Sequence, residues 1–276
     1  MTEIAGYPGP PGSHSSVACA HFVPDGERRP LPSFDAVIDA TTACDVTMGV
    51  LPIESSLSGP VSETHDLLYR ARLSIVAETV IPVEHCLVAR PGTALEDVHV
   101  VRSHPEALAQ CRRLLRELGI TRRIASATTA DAAREVAGRE DEHEAAIASP
   151  QAAALYGLRV LVASAGDRDD ASTRFVALRP ATEIGRDGRP WRTALAFSTD
   201  HAPGALYRAL APFDELSINL VQLVSRPLPD APWRYRFDAV IDGHPLDGNV
   251  SEGLRRLKAL TQEVRVVGSY AAEHAA

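Results

Sequence analysis

Long apolar runs are missing. No stretch of the 276 residues approaches the roughly 20 consecutive apolar residues that a membrane span needs. The segment Met1 to Gly12 holds neither Lys nor Arg and no apolar core, which argues against a secretory signal. Positive charge is also short. Lys and Arg number 28 against 36 Asp and Glu, a net charge of −8, with a pI near 5.7. No basic stripe with interleaved aromatics compensates, so nucleic acid is not an expected partner. Cysteine is scarce: Cys19, Cys44, Cys86 and Cys111 follow no metal or redox spacing, and a disulfide framework is out of place at this length. The expectation is buried, reduced thiols in a cytoplasmic protein. The ten histidines are scattered, and Cys19-Ala20-His21 has no second half at ligand spacing, so no metal site is expected.

What is present is an apolar content of 45%, ample for a core, and a length that suggests about two domains. A Gly/Pro turn, Gly6 to Gly12, runs into Ser13-His14-Ser15-Ser16 and predicts a loop, then a helix capped by serine, a place that suits an anion. Strand-like and helix-like segments then alternate as far as Leu178, which predicts an α/β layered fold with largely parallel sheets. Within that run, Ser103 is the expected cap of one helix reaching Gly119, with Leu108, Cys111, Leu114, Leu115 and Leu118 on its apolar face. The charged cluster Arg139 to Glu144 reads as a solvated connection. Pro180 to Pro190, with Gly185 and Gly188, reads as a linker, and beyond it the order βαββαβ is that of a ferredoxin-like unit.

Ser172-Thr173-Arg174-Phe175 sets a hydroxyl beside a guanidinium at the mouth of an apolar strand. Arginine grips a carboxylate through two parallel hydrogen bonds, and a neighbouring threonine can donate to the group that carries it.

Several stretches, in order, resemble the prephenate dehydratase family with a C-terminal ACT domain. Gly9-Pro10-Pro11-Gly12-Ser13 is similar to G-P-x-G-T. Pro52-Ile53-Glu54-Ser55-Ser56, with Gly59, Val61, Thr64 and Asp66-Leu67-Leu68, is similar to P-I-E-N-S-x-x-G-x-V-x-x-T-x-D-L-L. Ser103 to Cys111 resembles S-H-P-Q-A-L-A-Q-C, and Asp167 with Thr173-Arg174-Phe175 resembles D-x-x-x-N-x-T-R-F. Pro203-Gly204-Ala205-Leu206, Ser225-Arg226-Pro227 and Gly268-Ser269-Tyr270 resemble the ACT portion. Departures stand at Ser13 for threonine, at His14 for the usual phenylalanine, at Ser55 and Ala171 for asparagine, and at Val224 for the glutamate of E-S-R-P.

The resemblance implies a two-lobed, periplasmic-binding-protein-like catalytic body over residues 1–180, with lobe 1 about 1–84 and 164–180 and lobe 2 about 85–163. A linker at 181–190 and a ferredoxin-like ACT regulatory domain at 191–276 follow. It further implies loss of carbon dioxide and water from prephenate to give phenylpyruvate, with no cofactor because aromatisation drives the step. Thr173, Ser56 and Ser13 are the implied catalytic residues, and Arg174, Phe175, Ser15, Ser55 and Thr64 the implied substrate-binding ones. Gly204, Ala205, Leu206, Asn219, Ser225 and Arg226 would hold a phenylalanine effector in a homodimer or homotetramer. Two other readings stay open: a decarboxylase that keeps the ring hydroxyl, and a non-catalytic small-anion sensor.

Overall fold

The computed structural model describes residues 3–139, 143–180, 187–228 and 231–273. The chain opens with β1 (Ile4–Pro8), α1 (His14–Phe22), β2 (Glu27–Leu31), α2 (Phe34–Thr42), β3 (Met48–Ser55), the short β4 (Gly59–Pro60), α3 (Ser62–Arg70) and β5 (Leu73–Pro82). It then crosses into a second lobe of β6 (Cys86–Ala89), β7 (Val100–Ser103), α4 (Pro105–Gln110), α5 (Arg112–Glu117), β8 (Arg122–Ala125), α6 (Thr129–Ala137), β9 (Glu144–Ala148), α7 (Pro150–Leu155) and β10 (Arg159–Val162). It returns to the first lobe as β11 (Ser172–Pro180). The remainder is β12 (Trp191–Ser198), α8 (Ala205–Glu215), β13 (Leu220–Leu228), β14 (Ala231–Asp242), α9 (Gly248–Leu260) and β15 (Glu263–Ala271).

The second lobe is built on a sheet ordered β10-β6-β9-β7-β8. Its strand β9 is Glu-Ala-Ala-Ile-Ala, buried throughout. Small side chains there let Ala130, Ala132, Ala133 and Val136 of α6 lie close against it. The first lobe's sheet runs β5-β11-β3-β1-β2. The sheets are mixed rather than largely parallel: β1 pairs β2 and β3 in parallel, while β11 runs against both β3 and β5. The reason is the crossover. β11 arrives from the second lobe at the end where β5 leaves, so it can only run the other way.

Other expectations are corrected by contacts that sequence spacing does not reveal. The helix after β7 breaks at Cys111 because the carbonyl of Gln110 accepts the amide of Asp167 at 2.6 Å, and Asp167 Oδ1 accepts the amide of Arg113 at 2.9 Å. Its cap is His104, whose Nδ1 accepts from the Glu106 amide. Ser103 ends β7 and donates to the Ile147 carbonyl at 2.7 Å. Glu144 is no solvated connector: it is buried in β9 and takes two hydrogen bonds from Arg102, at 2.8 and 3.1 Å. Residues 140–142 of that cluster lie outside the described residues, as do 181–186 of the expected linker. Strand β2, Glu-Arg-Arg-Pro-Leu, shows no apolar alternation because it is an exposed edge. Cys19, Cys86 and Cys111 are buried free thiols, but Cys44 is exposed. Among the described residues no helix is long and apolar enough to cross a membrane.

The C-terminal stretch has the expected order, β12-α8-β13-β14-α9-β15. Its sheet is nevertheless continuous with that of the first lobe, through β15 beside β5 at Gly268 opposite Ile75. A Cβ at Gly268 would stand 2.2 Å from the Ile75 carbonyl oxygen, so only glycine permits this approach. One apolar cluster spans the junction, joining Val37, Leu51 and Leu178 to Ala194, Val240, Val267 and Tyr270.

Candidate active site

Strand direction says where a ligand can sit. β3 and β5 both run against β11, and β1 runs with β3. The carboxyl ends of β1, β3 and β5 and the amino end of β11 therefore share one edge. In the second lobe β7, β8 and β9 are parallel, and their carboxyl ends lead into α4, α6 and α7, capped by His104, Thr128 and Ser149. Ligands of open α/β sheets bind at such edges. The two edges face each other: Ser149 Oγ donates to the Gly12 carbonyl at 3.2 Å, Tyr156 donates to that of Pro11 at 2.9 Å, and Gly9 lies against Thr128. Loop 9–12 thus closes onto helix N-termini whose free N–H groups suit an anion.

The hydroxyls named from the sequence separate by what they already bond. Ser13 is buried and caps α1, accepting from the Ser16 amide at 3.2 Å. Ser55 accepts from the amides of Leu57 and Ser58, building the turn after β3. Ser56 Oγ accepts the Ser172 amide at 2.9 Å, and its own amide donates to the Ser172 carbonyl at 2.9 Å, pinning the start of β11. Thr64 is wholly buried and donates to the Pro52 carbonyl at 2.6 Å, so it ties α3 to β3. Ser15, in the first turn of α1, and Thr173 are only half buried, and they make no side-chain hydrogen bond among the described residues. Thr173 pairs with Ser55 on β3 and Ile81 on β5, at the cleft edge.

Adjacent strand residues point to opposite faces, and this separates the other two members of the tripeptide from the expected roles. Phe175 shares the face of Thr173 but is 2% exposed, packed in the core with Tyr7, Ala18 and Ile81 beneath α1. Arg174 points the other way. Its guanidinium stands 3.5 Å from Glu54 and 3.9 Å from Glu78. It lines a cavity of about 30 Å³ against Ala194, Val240 and Tyr270 of the C-terminal stretch. The structure does not bring Thr173 and Arg174 together over one substrate.

Two histidines were not singled out as site residues from the sequence. His14 begins α1, and burial, with His85 as a secondary influence, pulls its pKa down to about 4. His85 sits on the crossover after β5, bonded to Gln110 at 2.8 Å, and burial pulls it down too. Each has one buried ring nitrogen without a hydrogen-bond partner, Nε2 of His14 and Nδ1 of His85. Both rings are neutral at pH 7. The cap Ser149 was also missed, although Ser149-Pro150 is a legible helix start.

Among the residues expected to take an effector, Gly204 caps α8 at φ +75°, with Ala205 and Leu206 beginning the helix. Asn219 donates to Asp242 at 2.9 Å, and Ser225 is exposed on β13. Arg226 is committed to α3, bonding Asp66 at 2.6 Å and Ser62 at 2.8 Å.

The family model for prephenate dehydratase matches residues 5–183. The chain belongs to the prephenate dehydratase family. Its relatives include arogenate dehydratase 2 of Petunia hybrida, 37% identical over 96% of this chain and 70% of that one. A bifunctional N-acyl-homoserine lactone acylase/prephenate dehydratase of Komagataeibacter europaeus is 33% identical over 98% of this chain and 96% of that one. The crystal structure of prephenate dehydratase in complex with L-Phe from Arthrobacter aurescens superposes with a TM-score of 0.89 at 32% identity, covering 98% of this chain and 90% of that one. The chain is therefore a lyase of the hydro-lyase class, built on the two-lobed α/β body of that family.

Proposed function

We propose that the chain converts prephenate to phenylpyruvate in phenylalanine biosynthesis, with Thr173 at the departing ring hydroxyl. The observation that carries this reading is the uncommitted Thr173 hydroxyl at the cleft edge of β11, held there by Ser55 and Ser56. As the bond to the ring carboxylate breaks, its electron pair enters the ring, the C–O bond breaks and carbon dioxide leaves. The departing hydroxide takes a proton to become water. A threonine hydroxyl is too weak an acid to supply that proton outright, so Thr173 stabilises the leaving oxygen by a hydrogen bond and solvent makes up the proton.

The side-chain carboxylate rests on amides at the start of α1 and on Ser15, and Ser13 orders that helix start. Neutral donors suit the ring carboxylate better than a cation. A guanidinium would stabilise the group that must depart as carbon dioxide, whereas removal from water destabilises it. The position of Arg174 on the far face fits that requirement.

Arogenate carries an amino group where prephenate has a keto group, and the Petunia relative's name makes it the second substrate to test. Purified protein incubated separately with prephenate, arogenate and an N-acyl-homoserine lactone, with products identified by mass spectrometry, decides the matter. Phenylpyruvate from prephenate is the expected result. A product that keeps the ring hydroxyl, or no turnover of either ring substrate, overturns the proposal.

The same reading takes 191–276, after a connection at 181–190, as an ACT regulatory unit that binds phenylalanine within a homodimer or homotetramer. Its βαββαβ order and the L-Phe complex of the Arthrobacter relative support this. Val224 offers no carboxylate, and a charge-assisted contact is worth about 1.5–3 kcal/mol. Phenylalanine inhibition is therefore expected to be weak, and calorimetric titration beside activity assays measures it.

A further inference from the structure

Glu78 is a carboxylate inside the protein, its side chain 1% exposed, between the first lobe's sheet and the C-terminal stretch. It lies on β5 opposite Val176 of β11, on the face away from α1. A buried carboxylate needs partners. Arg192, on β12, reaches Oε1 at 2.6 Å, and the amide of Glu273 stands 3.4 Å from the same oxygen. Its second oxygen has no hydrogen-bond partner and stands 3.9 Å from Nε of Arg174, an atom itself buried and without a hydrogen-bond partner. Arg174 in turn leans on Glu54 of β3, its neighbour across the strand pair. Tyr270 of β15 closes the same cavity. The pairing of β11 with β3 slips by one residue opposite Arg174 and Phe175, where β3 carries an extra residue, Ile53, and such a bulge re-aims the β3 residues beside it, Glu54 and Ser55, which face Arg174 and Thr173.

We propose that Arg174 is a positioning residue rather than a substrate ligand. It is the middle of a charge chain Glu54–Arg174–Glu78–Arg192 that ties the bulge, and so the aim of Thr173, to β12 of the C-terminal stretch. The 3.9 Å separation is loose for a hydrogen bond, so a small shift of β12 tightens or relaxes the chain. That places a means of acting on the cleft at the root of the C-terminal stretch, without any contact between that stretch and the substrate. The inference rests on the proposed role of Thr173, and Thr173→Ala tests that role separately.

The test compares Arg174→Gln, Glu78→Gln, Arg192→Gln and the double variant Arg174→Gln/Glu78→Gln in the intact chain, assayed with whichever substrate the parent turns over. A positioning chain predicts kcat lower by about tenfold in each of the first two, KM within about twofold, and no larger loss in the double variant. Arg174→Lys, which keeps the charge, restores part of kcat. A substrate ligand predicts instead that Arg174→Gln raises KM by about tenfold or more while Glu78→Gln leaves it unchanged. That result, or losses that multiply in the double variant, overturns the proposal. Should Arg174→Gln not fold, Arg192→Gln carries the test, because Arg192 lies on β12 and bonds no cleft residue: unchanged kcat in it overturns the proposal.

Discussion

The first lobe meets two neighbours, and it meets them by opposite means. Across the cleft mouth, against the second lobe, the contacts are neutral: hydroxyls of Ser149 and Tyr156 on the carbonyls of loop 9–12, with neutral histidines His14 and His85 nearby. Against the C-terminal stretch they are charged and continuous. Arg226 and Arg236 share Asp66 of α3, at 2.6 and 2.8 Å. Arg236 also lies over the Tyr69 ring at 4.4 Å, Arg265 bonds the carbonyls at the end of α3, and the sheets run into one another at Gly268. An interface of hydroxyl contacts opens at little cost, whereas one that shares a sheet and an apolar core moves as a unit. The first is suited to admitting a substrate, the second to transmitting a displacement.

The largest expected effect falls on the cleft side. Thr173→Ala should lower kcat by about a hundredfold or more with little change in KM, as loss of a transition-state contact does. Steady-state kinetics on the parent's substrate checks it, and near-parental kcat removes Thr173 from the mechanism. Gly268→Ala strikes the other interface. Its methyl group has to displace the backbone of Ile75, which should cost about 3 kcal/mol and uncouple the two sheets. A lowered Tm, with faster proteolysis between residues 180 and 191, is the expected reading; an unchanged Tm would mean that the sheets are not joined there.

Acid separates the interfaces more finely. A neutral histidine held below its ordinary value adds stability that is complete above about pH 6.5 and is lost as pH falls. For His14 that loss runs down to about pH 4. His14→Phe should therefore flatten the fall of Tm between pH 6.5 and 4. Asp66 behaves differently. Burial alone would raise it, but the hydrogen bonds and charges of Arg226 and Arg236 outweigh burial and hold it below the usual aspartate value. Its contribution is full above about pH 4 and vanishes below that. Asp66→Asn should lower Tm modestly at pH 7, because the carboxylate is partly exposed, and leave the window from 6.5 to 4 unaltered. If both variants changed the same window, the contrast between the two interfaces would be lost.

Much of this was legible because the relevant signals are local. A Gly/Pro turn running into serine marks Ser13 as a cap, and Thr173 stands at the start of an apolar strand. The misreadings share one cause, that neighbours in sequence are not neighbours in space. Thr173 and Arg174 look like a pair until the strand's alternation sends them to opposite faces. Thr64 looks like a free donor until α3 packs its hydroxyl onto Pro52. The break at Cys111 comes from Asp167, more than fifty residues away, and no helical periodicity records it. Gly268 reads as one letter of a motif. Its necessity appears only when β5 lies beside it.

Strand β11 sits between β5 and β3, yet it leaves the ribosome about ninety residues after β5. Until then both of its partners stand with open edges, and a chain cut off within the second lobe would expose them to pairing with other chains. The second lobe, a contiguous segment, can collapse on its own while the first waits. The body synthesised first therefore has to wait for the body synthesised second before its own sheet can be completed.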